Sequence, residues 1–457
     1  MQESLPFTTW YWEYECDSAF VQESKKSLRN RGIELLAVAN PLERKGSGVI
    51  FFSRCSDQLL EEVERLAYAQ VFALCVATPD SAIPSSFVWQ LVQAGATDVL
   101  TASTPQCAGQ IASRLERRHA VEQCMQSDAV AGTLVGISPA WQRMLRQVVE
   151  VAHFTMSPVL ILGETGTGKE LLSHLIHELD ARSGKRELVT VDCTTIVPEL
   201  SGSELFGHEK GAYTGAINSR DGAFSLAHNG TLFLDEVGEL TPPLQAQLLR
   251  AVQEKTYKRV GGNAWNKTEF RLVCATNRDL AADVTKGLFR SDLYFRLASC
   301  VFRLPPLKER RADILPLARH FLGSVLDCNN GPQFDPAVAE YLESRDYPGN
   351  VRELRQLVLQ MGQRHVGPGP ITAGDLPAEE WPRLSEAAAR RWPDAAFEEA
   401  IRRGLSSGAE LRQINQAAAD TAIRITVQCE EGNLQRAAKR LGITDRALQL
   451  RRASGQW

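Results

Sequence analysis

The sequence contains no apolar run that approaches the roughly eighteen residues of a membrane-spanning helix, so we expect no membrane partner. Its first residues lack the basic start and the long apolar core of a secretory signal peptide, which predicts a cytoplasmic protein. The ten cysteines include no C-x-x-C spacing, a pattern typical of reduced thiols. A net charge of −4 argues against a globally basic nucleic-acid binder, so any contact with DNA must be local.

The length and composition are those of an ordinary soluble protein. Hydrophobic residues make up 44% of the chain and charged residues 23%. A chain of 457 residues is long enough for roughly two to four domains.

A glycine-rich loop at residues 163–169 follows an apolar run typical of a buried parallel strand and precedes a helical pattern. Strand, loop and helix in this order predict a Walker A loop, whose backbone N–H groups surround nucleotide phosphates. Lys169 would neutralise the phosphates, whereas Glu170 stands where the general pattern has a Ser or Thr that binds Mg²⁺. An ordinary tight turn is the alternative. The predicted nucleotide-binding residues are Gly163, Glu164, Thr165, Gly166, Thr167, Gly168, Lys169 and Glu170.

A second apolar strand, residues 230–236, ends in two carboxylates. Asp235 would hold Mg²⁺ and Glu236 would polarise the attacking water, as in a Walker B motif. A third apolar strand ends at Asn277, which is suited to sensing the γ-phosphate. An acidic strand end facing solvent is the alternative for a lone Asp-Glu pair. Together the motifs predict an ATPase with ATP and Mg²⁺ as cofactors.

The segment 203–216 resembles the signature of bacterial enhancer-binding proteins, the AAA+ activators of sigma-54 RNA polymerase. Their GAFTGA loop is GAYTGA here, at residues 211–216, and its glycines favour a mobile hairpin tip over a helix. An exposed aromatic on such a tip favours a contact role, and an ordinary surface loop is the alternative. The resemblance implies a sigma-54 contact by Gly211, Ala212, Tyr213, Thr214, Gly215 and Ala216.

The resemblance continues through residues 289–297 and 347–354. It implies that Arg290 and Arg296 are arginine fingers that reach the ATP of a neighbouring subunit. Pairing with Asp292 on a helix surface is the alternative for both arginines. By the same resemblance, Arg352 is the sensor II arginine of the lid.

One residue departs from the family in a way that bears on hydrolysis. Asp192 stands where the family usually has an asparagine, which is thought to hold the Walker B glutamate. Two neighbouring carboxylates cannot both be comfortably ionised. We therefore expect Asp192 to share a proton with Glu236 or to repel it.

The N-terminal segment alternates short apolar strands (34–38, 48–52, 71–77 and 98–100) with helical patterns such as 57–68, which predicts a small doubly wound domain. Residues 93–100 resemble the late part of response-regulator receivers. The acceptor aspartate and the lysine of receivers are both absent, so we do not expect phosphorylation. A domain that senses a small-molecule or protein effector, or that serves only for interaction, fits better.

The C-terminal end carries a local basic patch. Five prolines between residues 367 and 394 predict a linker, and residues 432–457 hold six Lys or Arg against one Asp. The pattern predicts a helix-turn-helix with its turn at Gly442, and it resembles the Fis-type DNA-binding end of the same activators. A basic hairpin used for dimerisation alone is the alternative. The candidate DNA-binding residues are Arg436, Lys439, Arg440, Thr444, Arg446, Gln449 and Arg451.

The expected fold is α/β. It comprises a receiver-like doubly wound domain (1–128), an AAA+ P-loop domain with a helical lid (134–376, the lid from about 306), a linker (377–410) and an all-α helix-turn-helix (411–457). The expected function is that of an activator that binds upstream double-stranded DNA as dimers, assembles into a hexameric ring and uses ATP to remodel the sigma-54 RNA polymerase closed complex. The alternatives are a nucleotide-responsive DNA-binding repressor that no longer opens promoters, and an AAA+ remodeller without promoter targets.

Overall fold

The computed structural model describes the chain except for residues 1–5, 17, 45, 70, 80, 103–106, 197–200, 214–215, 327–332, 382–394, 407, 431–432, 445, 447 and 450–457. Residues 1–376 form one compact unit and residues 377–457 a second. No helix in the described part of the chain is both long enough and apolar enough to cross a membrane.

The N-terminal part of the first unit is a parallel sheet of β1 (Phe7–Tyr14), β2 (Ile33–Ala37), β3 (Ser47–Phe52), β4 (Phe72–Ala77) and β5 (Asp98–Thr101). Its helices are α1 (Ser18–Arg29), α2 (Asp57–Tyr68), α3 (Ser85–Ala94) and α4 (Cys107–Gln126). The strand order β2-β1-β3-β4-β5 is one of the two common doubly wound orders. Helices α1 and α4 cover one face of the sheet, and α2 and α3 cover the other. This confirms the predicted doubly wound fold and adds β1, which the sequence analysis did not identify.

The central part is built on a second parallel sheet of β6 (Val159–Leu162), β7 (Leu188–Asp192), β8 (Thr231–Asp235), β11 (Arg271–Thr276) and β12 (Cys300–Arg303). Two short strands, β9 (Thr256–Tyr257) and β10 (Asn266–Lys267), form an antiparallel pair. The helices are α5 (Asp128–Ala131), α6 (Pro139–Phe154), α7 (Lys169–Glu178), α8 (Ser201–Phe206), α9 (Ala223–Leu226), α10 (Pro242–Glu254), α11 (Leu280–Thr285) and α12 (Ser291–Leu297). The order β12-β6-β11-β8-β7 places β6 and β11 inside the sheet. Both are buried along their whole length, as expected where helices cover both faces.

The lid begins with two 3-10 turns, Leu307–Glu309 and Arg311–Asp313. Helices α13 (Ile314–Leu326), α14 (Pro336–Ser344) and α15 (Asn350–Arg364) follow. On α15 the buried residues Leu354, Val358 and Met361 recur at helical spacing and pack with α13 and α14 in one apolar core. The predicted helical lid is therefore present.

The second unit is helical, with α16 (Ala395–Ser406), α17 (Leu411–Cys429) and α18 (Leu434–Leu441). The segment that we expected to be a linker, 377–410, thus contains α16. Asn433 caps the start of α18, since its side chain accepts a hydrogen bond from the N–H of Arg436. Gly442 ends the helix in a left-handed conformation, with φ of 67°. Leu448, beyond the turn, packs with Ile423 and Ala437 in a small core.

Candidate functional site

The site lies where the carboxyl ends of neighbouring parallel strands meet. Residues 163–168 connect β6 to α7, and Gly166 and Gly168 take positive φ angles of 79° and 107°. These angles let the loop turn tightly before Lys169 starts the helix. The loop borders a cleft of about 770 Å³ that is also lined by Asp192, Asp235, Glu236 and Arg352. Its apolar lining includes Trp141, Leu317 and Phe321. A cleft of this size, with polar groups at one end, suits a small ligand.

Lys169 and Glu236 face each other across the cleft. The Lys169 Nζ atom lies 3.2 Å from Glu236 Oε1 and donates a hydrogen bond to the Gly163 carbonyl at 3.1 Å. The other carboxylate oxygen of Glu236 accepts a hydrogen bond from the backbone N–H of Asn277 at 3.0 Å. The lysine side chain is 8% exposed and that of the glutamate 19%. The structure therefore brings together three residues that the sequence analysis took from three separate strand ends.

Asp192 ends β7 and lines the cleft together with Asp235 and Glu236. Across β7 and β8 it pairs with Asp235, not with Glu236. Its Oδ1 atom accepts hydrogen bonds from the backbone N–H and the hydroxyl of Thr194, at 2.8 and 2.7 Å. Burial and then the Glu236 carboxylate are the main causes that raise the pKa of Asp235, and Asp192 adds to the rise. Asp192 thus acts on Asp235 as a like charge, and its expected effect on Glu236 stays a prediction.

The acidic groups at the strand ends fit a Mg²⁺ ion that is bound mainly by a nucleotide. Within the described residues there is no cluster of three or more carboxylate, histidine or cysteine side chains that could hold a metal alone. Mg²⁺ commonly uses one or two carboxylates together with substrate phosphates and water. Asp235, half-buried and facing the cleft, offers one such carboxylate. Glu170, in the position of the usual Ser or Thr, is exposed in the first turn of α7.

The lid rests directly on the phosphate loop through the start of α15. The Asn350 side chain donates hydrogen bonds to Glu164 Oε2 at 3.0 Å and to the Thr165 carbonyl at 3.1 Å. The backbone N–H groups of Val351 and Arg352 donate to the Gly166 carbonyl at 2.9 and 3.3 Å. Asn350 is 1% exposed, and the sequence analysis gave it no role. Because its partners lie 185 and 186 positions away, no local pattern could have revealed the contact.

Arg310 is a second residue that the sequence analysis missed. It lines the cleft and is 2% exposed. Its Nη2 atom donates to the Thr167 carbonyl at 3.0 Å, across 143 positions of sequence. Both missed residues belong to the lid, and both contact the backbone of the phosphate loop.

Arg290 and Arg296 stand at the two ends of α12 and are exposed. They are not among the described residues that line the cleft of their own chain. Arg290 makes a two-pronged pair with Asp292, with nitrogen–oxygen distances of 3.0 and 2.7 Å. This is the pairing that the sequence analysis considered as the alternative. An exposed pair of this kind is easily exchanged for another anion.

The loop 211–216 is rooted on the β9–β10 segment. The Glu209 N–H donates to the Val260 carbonyl at 3.0 Å, and the Gly211 N–H donates to the Ala216 carbonyl at 2.9 Å. Tyr213 is 39% exposed, and its ring meets that of His208 edge-on, with centroids 5.1 Å apart. The aromatic is therefore exposed, as expected, although His208 lies against one side of its ring. Thr214 and Gly215 lie outside the described residues.

The candidate DNA-binding residues lie on α18 and after it. The side chains of Arg436, Lys439, Arg440, Thr444, Arg446 and Gln449 are exposed, and Arg451 lies outside the described residues. Arg440 pairs with Glu430 at 3.0 Å. The buried faces of these helices use Ala437 and Ala438, so the basic side chains are left for solvent or a partner.

Residues 134–303 match the Sigma-54 interaction domain family, and residues 308–391 match the AAA+ ATPase lid domain. The two matches together cover more than half of the chain. The Sigma-54 interaction domain is an AAA+ ATPase domain, in agreement with the strand order and the phosphate loop described above.

Two curated relatives illustrate the similarity. The Nif-specific regulatory protein of Azorhizobium caulinodans is 50% identical over 226 residues, which are 49% of this chain and 36% of that protein. The transcriptional regulatory protein ZraR of Escherichia coli is 48% identical over 227 residues, 49% of this chain and 51% of ZraR. The chain thus spans about a third to a half of the length of these relatives. The solved structure of NtrX from Brucella abortus aligns with 98% of this chain and 99% of that one, at 23% identity and a TM-score of 0.49.

Proposed function

We propose, because residues 134–303 match the Sigma-54 interaction domain family and residues 308–391 the AAA+ ATPase lid domain, that the protein is an ATP-driven transcriptional activator of sigma-54 RNA polymerase. The protein would bind DNA upstream of promoters, assemble into a ring, and use ATP hydrolysis to remodel the closed complex. It would do so in the cytoplasm, where the promoters are. The proposal rests on one observation. Asp192 and Asp235, which line the cleft, end the two strands β7 and β8, and the connection between these strands carries the loop 211–216.

The cleft supplies the groups that ATP hydrolysis needs. The phosphate loop and Lys169 would hold the triphosphate, and Asp235 would hold Mg²⁺, which screens the phosphate charge. Glu236 would orient and polarise the attacking water, while Asn277, whose N–H already touches Glu236, would report the γ-phosphate. Lys169 would exchange its contact with Glu236 for phosphate oxygens, which frees the glutamate for water. Arg352 would meet the phosphates from the lid.

The loop is mechanically connected to this chemistry. Strands β7 and β8 are paired neighbours whose ends, Asp192 and Asp235, lie at the cleft. The connection between these two strands carries the loop 211–216. A shift of Asp192 on hydrolysis would be passed along this connection toward the loop. Tyr213 would leave His208 and contact sigma-54, and the flanking glycines allow that motion.

Hydrolysis would depend on assembly. Arg290 and Arg296 are exposed on α12 and are not among the described residues that line the cleft, which supports a role for them at a neighbouring subunit. Guanidinium groups supplied in this way stabilise the charge that develops on the γ-phosphate. Arg290 would exchange Asp292 for that phosphate. A closed ring, expected to be a hexamer, satisfies every such contact.

The C-terminal unit would hold the ring near its promoter. Its exposed basic side chains suit phosphate contacts, and the residues after Gly442 would enter the major groove as the recognition helix. The N-terminal domain lacks a phosphoacceptor, so a small-molecule or protein effector would act on it.

The proposal is tested with purified protein, sigma-54 RNA polymerase and a promoter with an upstream binding site. ATP should produce open complexes, measured by permanganate footprinting. Replacement Tyr213→Ala should abolish opening while ATP hydrolysis continues, and Glu236→Gln should abolish both. Steady hydrolysis without any opening by the unaltered protein would refute the proposal.

A further inference from the structure

Arg310 is a buried cation at the junction of the two 3-10 turns that open the lid. The residue is 2% exposed and lines the cleft. Burial lowers the pKa of Arg310 to about 10, so the side chain still carries its charge at neutral pH. Burying a charge is costly unless compensating groups surround it. The contacts of Arg310 therefore determine how far its charge is compensated.

Two contacts are with neutral groups. Nη2 donates to the Thr167 carbonyl at 3.0 Å, and the guanidinium carbon lies 4.3 Å from the centroid of the Trp141 ring. Nε is buried and has no hydrogen-bond partner within the described residues. Asp313 attracts the charge, yet its carboxylate is already bonded to the N–H groups of Ile137 and Ser138 and to the Ser138 hydroxyl. The positive charge is thus only partly compensated by the protein.

The Thr167 carbonyl belongs to the phosphate loop itself. Thr167 is 2% exposed, and its hydroxyl donates to the Glu164 carbonyl at 2.8 Å. A carbonyl oxygen turned toward a phosphate would repel it, whereas one engaged by a guanidinium is held away. Arg310 thereby leaves the loop free to present N–H groups to an anion, and its own charge favours that anion.

We propose that Arg310 is a positioning residue for the nucleotide, which acts by holding the Thr167 carbonyl and by adding a partly compensated positive charge beside the phosphate loop. The inference rests on the proposed nucleotide site and goes further by assigning part of the affinity for the nucleotide to a residue of the lid. Arg310 connects three pieces of chain, since the phosphate loop, helix α6 through Trp141, and the start of the lid all meet at its side chain.

The test compares Arg310 with the adjacent Arg311, which is exposed and bonded to the Glu343 carbonyl and to Asp346. A fluorescent ADP analogue with Mg²⁺ is titrated into the full chain and its variants, and binding is followed by anisotropy. Thermal unfolding without nucleotide shows that each variant is folded. We expect R310Q to bind at least about tenfold more weakly, because it loses a hydrogen bond from a charged donor. R311Q should bind like the unaltered protein.

R310K separates charge from shape. Lysine keeps the charge, but it lacks the planar guanidinium that contacts the Thr167 carbonyl and the Trp141 ring together. The affinity of R310K for the ADP analogue should therefore lie between those of R310Q and the unaltered protein. Unchanged affinity in R310Q overturns the proposal. It is equally overturned if R310K binds no more tightly than R310Q or as tightly as the unaltered protein, and the comparison of R310K with the unaltered protein decides alone if R310Q does not fold.

Failure of the proposed function would look different. If the unaltered chain does not bind the ADP analogue, the nucleotide site itself is wrong and the role of Arg310 falls with it. If the chain binds ADP but opens no sigma-54 promoter, the activator function fails while the role of Arg310 stands.

Discussion

Replacing Gly166 with alanine should separate the lid from the phosphate loop. A Cβ atom at this position would lie 2.2 Å from the Gly349 carbonyl oxygen and 3.0 Å from the Arg352 Cβ atom. The first distance is far inside van der Waals contact, and the atom that it meets is backbone. Either the loop or the start of α15 must therefore move.

The cost follows from the geometry. The φ angle of Gly166 is 79°, and a left-handed conformation costs an L-residue about 1–2 kcal/mol. Moving the lid weakens the hydrogen bonds from the N–H groups of Val351 and Arg352, each with a net value of about 0.5–1.5 kcal/mol. The docked arrangement should lose about 2–5 kcal/mol in total. If nucleotide binding requires that arrangement, ADP affinity falls by up to about thirtyfold at the lower end of this range.

Gly184 provides the matched control. Its φ angle is 70°, and an added Cβ would meet nothing within 4 Å. Gly184→Ala should therefore carry the conformational cost alone and leave ADP affinity unchanged. Affinities are measured by calorimetry, with thermal unfolding of both variants alongside. If Gly166→Ala bound ADP as tightly as Gly184→Ala, the contact between lid and loop would have no part in binding.

Three further predictions concern single side chains. Glu236→Gln should keep ADP affinity but lower the rate of phosphate release at least about a hundredfold, the usual minimum for loss of a general base; a near-normal rate would contradict its role. Arg290→Ala should likewise bind ADP without hydrolysing ATP. If Arg290 acts on the ATP of a neighbouring subunit, mixing this variant with Glu236→Gln protein should restore part of the ATPase activity. A mixture as inactive as the two separate variants would contradict a role between subunits. Burial raises the pKa of Cys193 to about 12, so at pH 8 iodoacetamide should label the exposed Cys429 and spare Cys193 in the folded protein, as read by mass spectrometry. Rapid labelling of Cys193 would contradict its burial. Since the unfolded thiol loses its proton near pH 9, Cys193 also lowers the free energy of unfolding as pH rises from about 9 to 12.

The fold class was predictable because the strands of both sheets carry local signals. Strands β6 and β11 are continuous apolar runs, which is what a parallel strand covered on both faces requires. Strand β1 was missed because it mixes threonines and a glutamate with aromatic residues, yet Trp10 and Tyr11 are buried at the centre of the sheet. Helix α16 was missed because the prolines upstream of it dominated the prediction for that segment.

The contents of the cleft were predictable for a different reason. The carboxyl ends of parallel strands share one edge, so polar residues that follow apolar runs converge there, as Asp235 and Asn277 do. The contacts of Asn350 and Arg310 with the phosphate loop carry no such signal. They depend on where the lid folds back, which is set by packing between segments far apart in the sequence. The pairing of Asp192 with Asp235 across β7 and β8 is likewise set by the strand register, which no local pattern reveals.

Helix α4 connects the N-terminal sheet to the ATPase sheet. Its first half places Ile111 in the core of the N-terminal sheet, and its second half places Val121 in the core of the ATPase sheet. Two ion pairs fix it to α6, Arg117 to Glu150 at 2.6 Å and Arg146 to Glu122 at 3.0 Å. A helix held in two cores cannot rotate without repacking both. Since the first turn of α6 carries the Trp141 ring that stacks on Arg310, a displacement of α4 would reach the cleft through packed side chains.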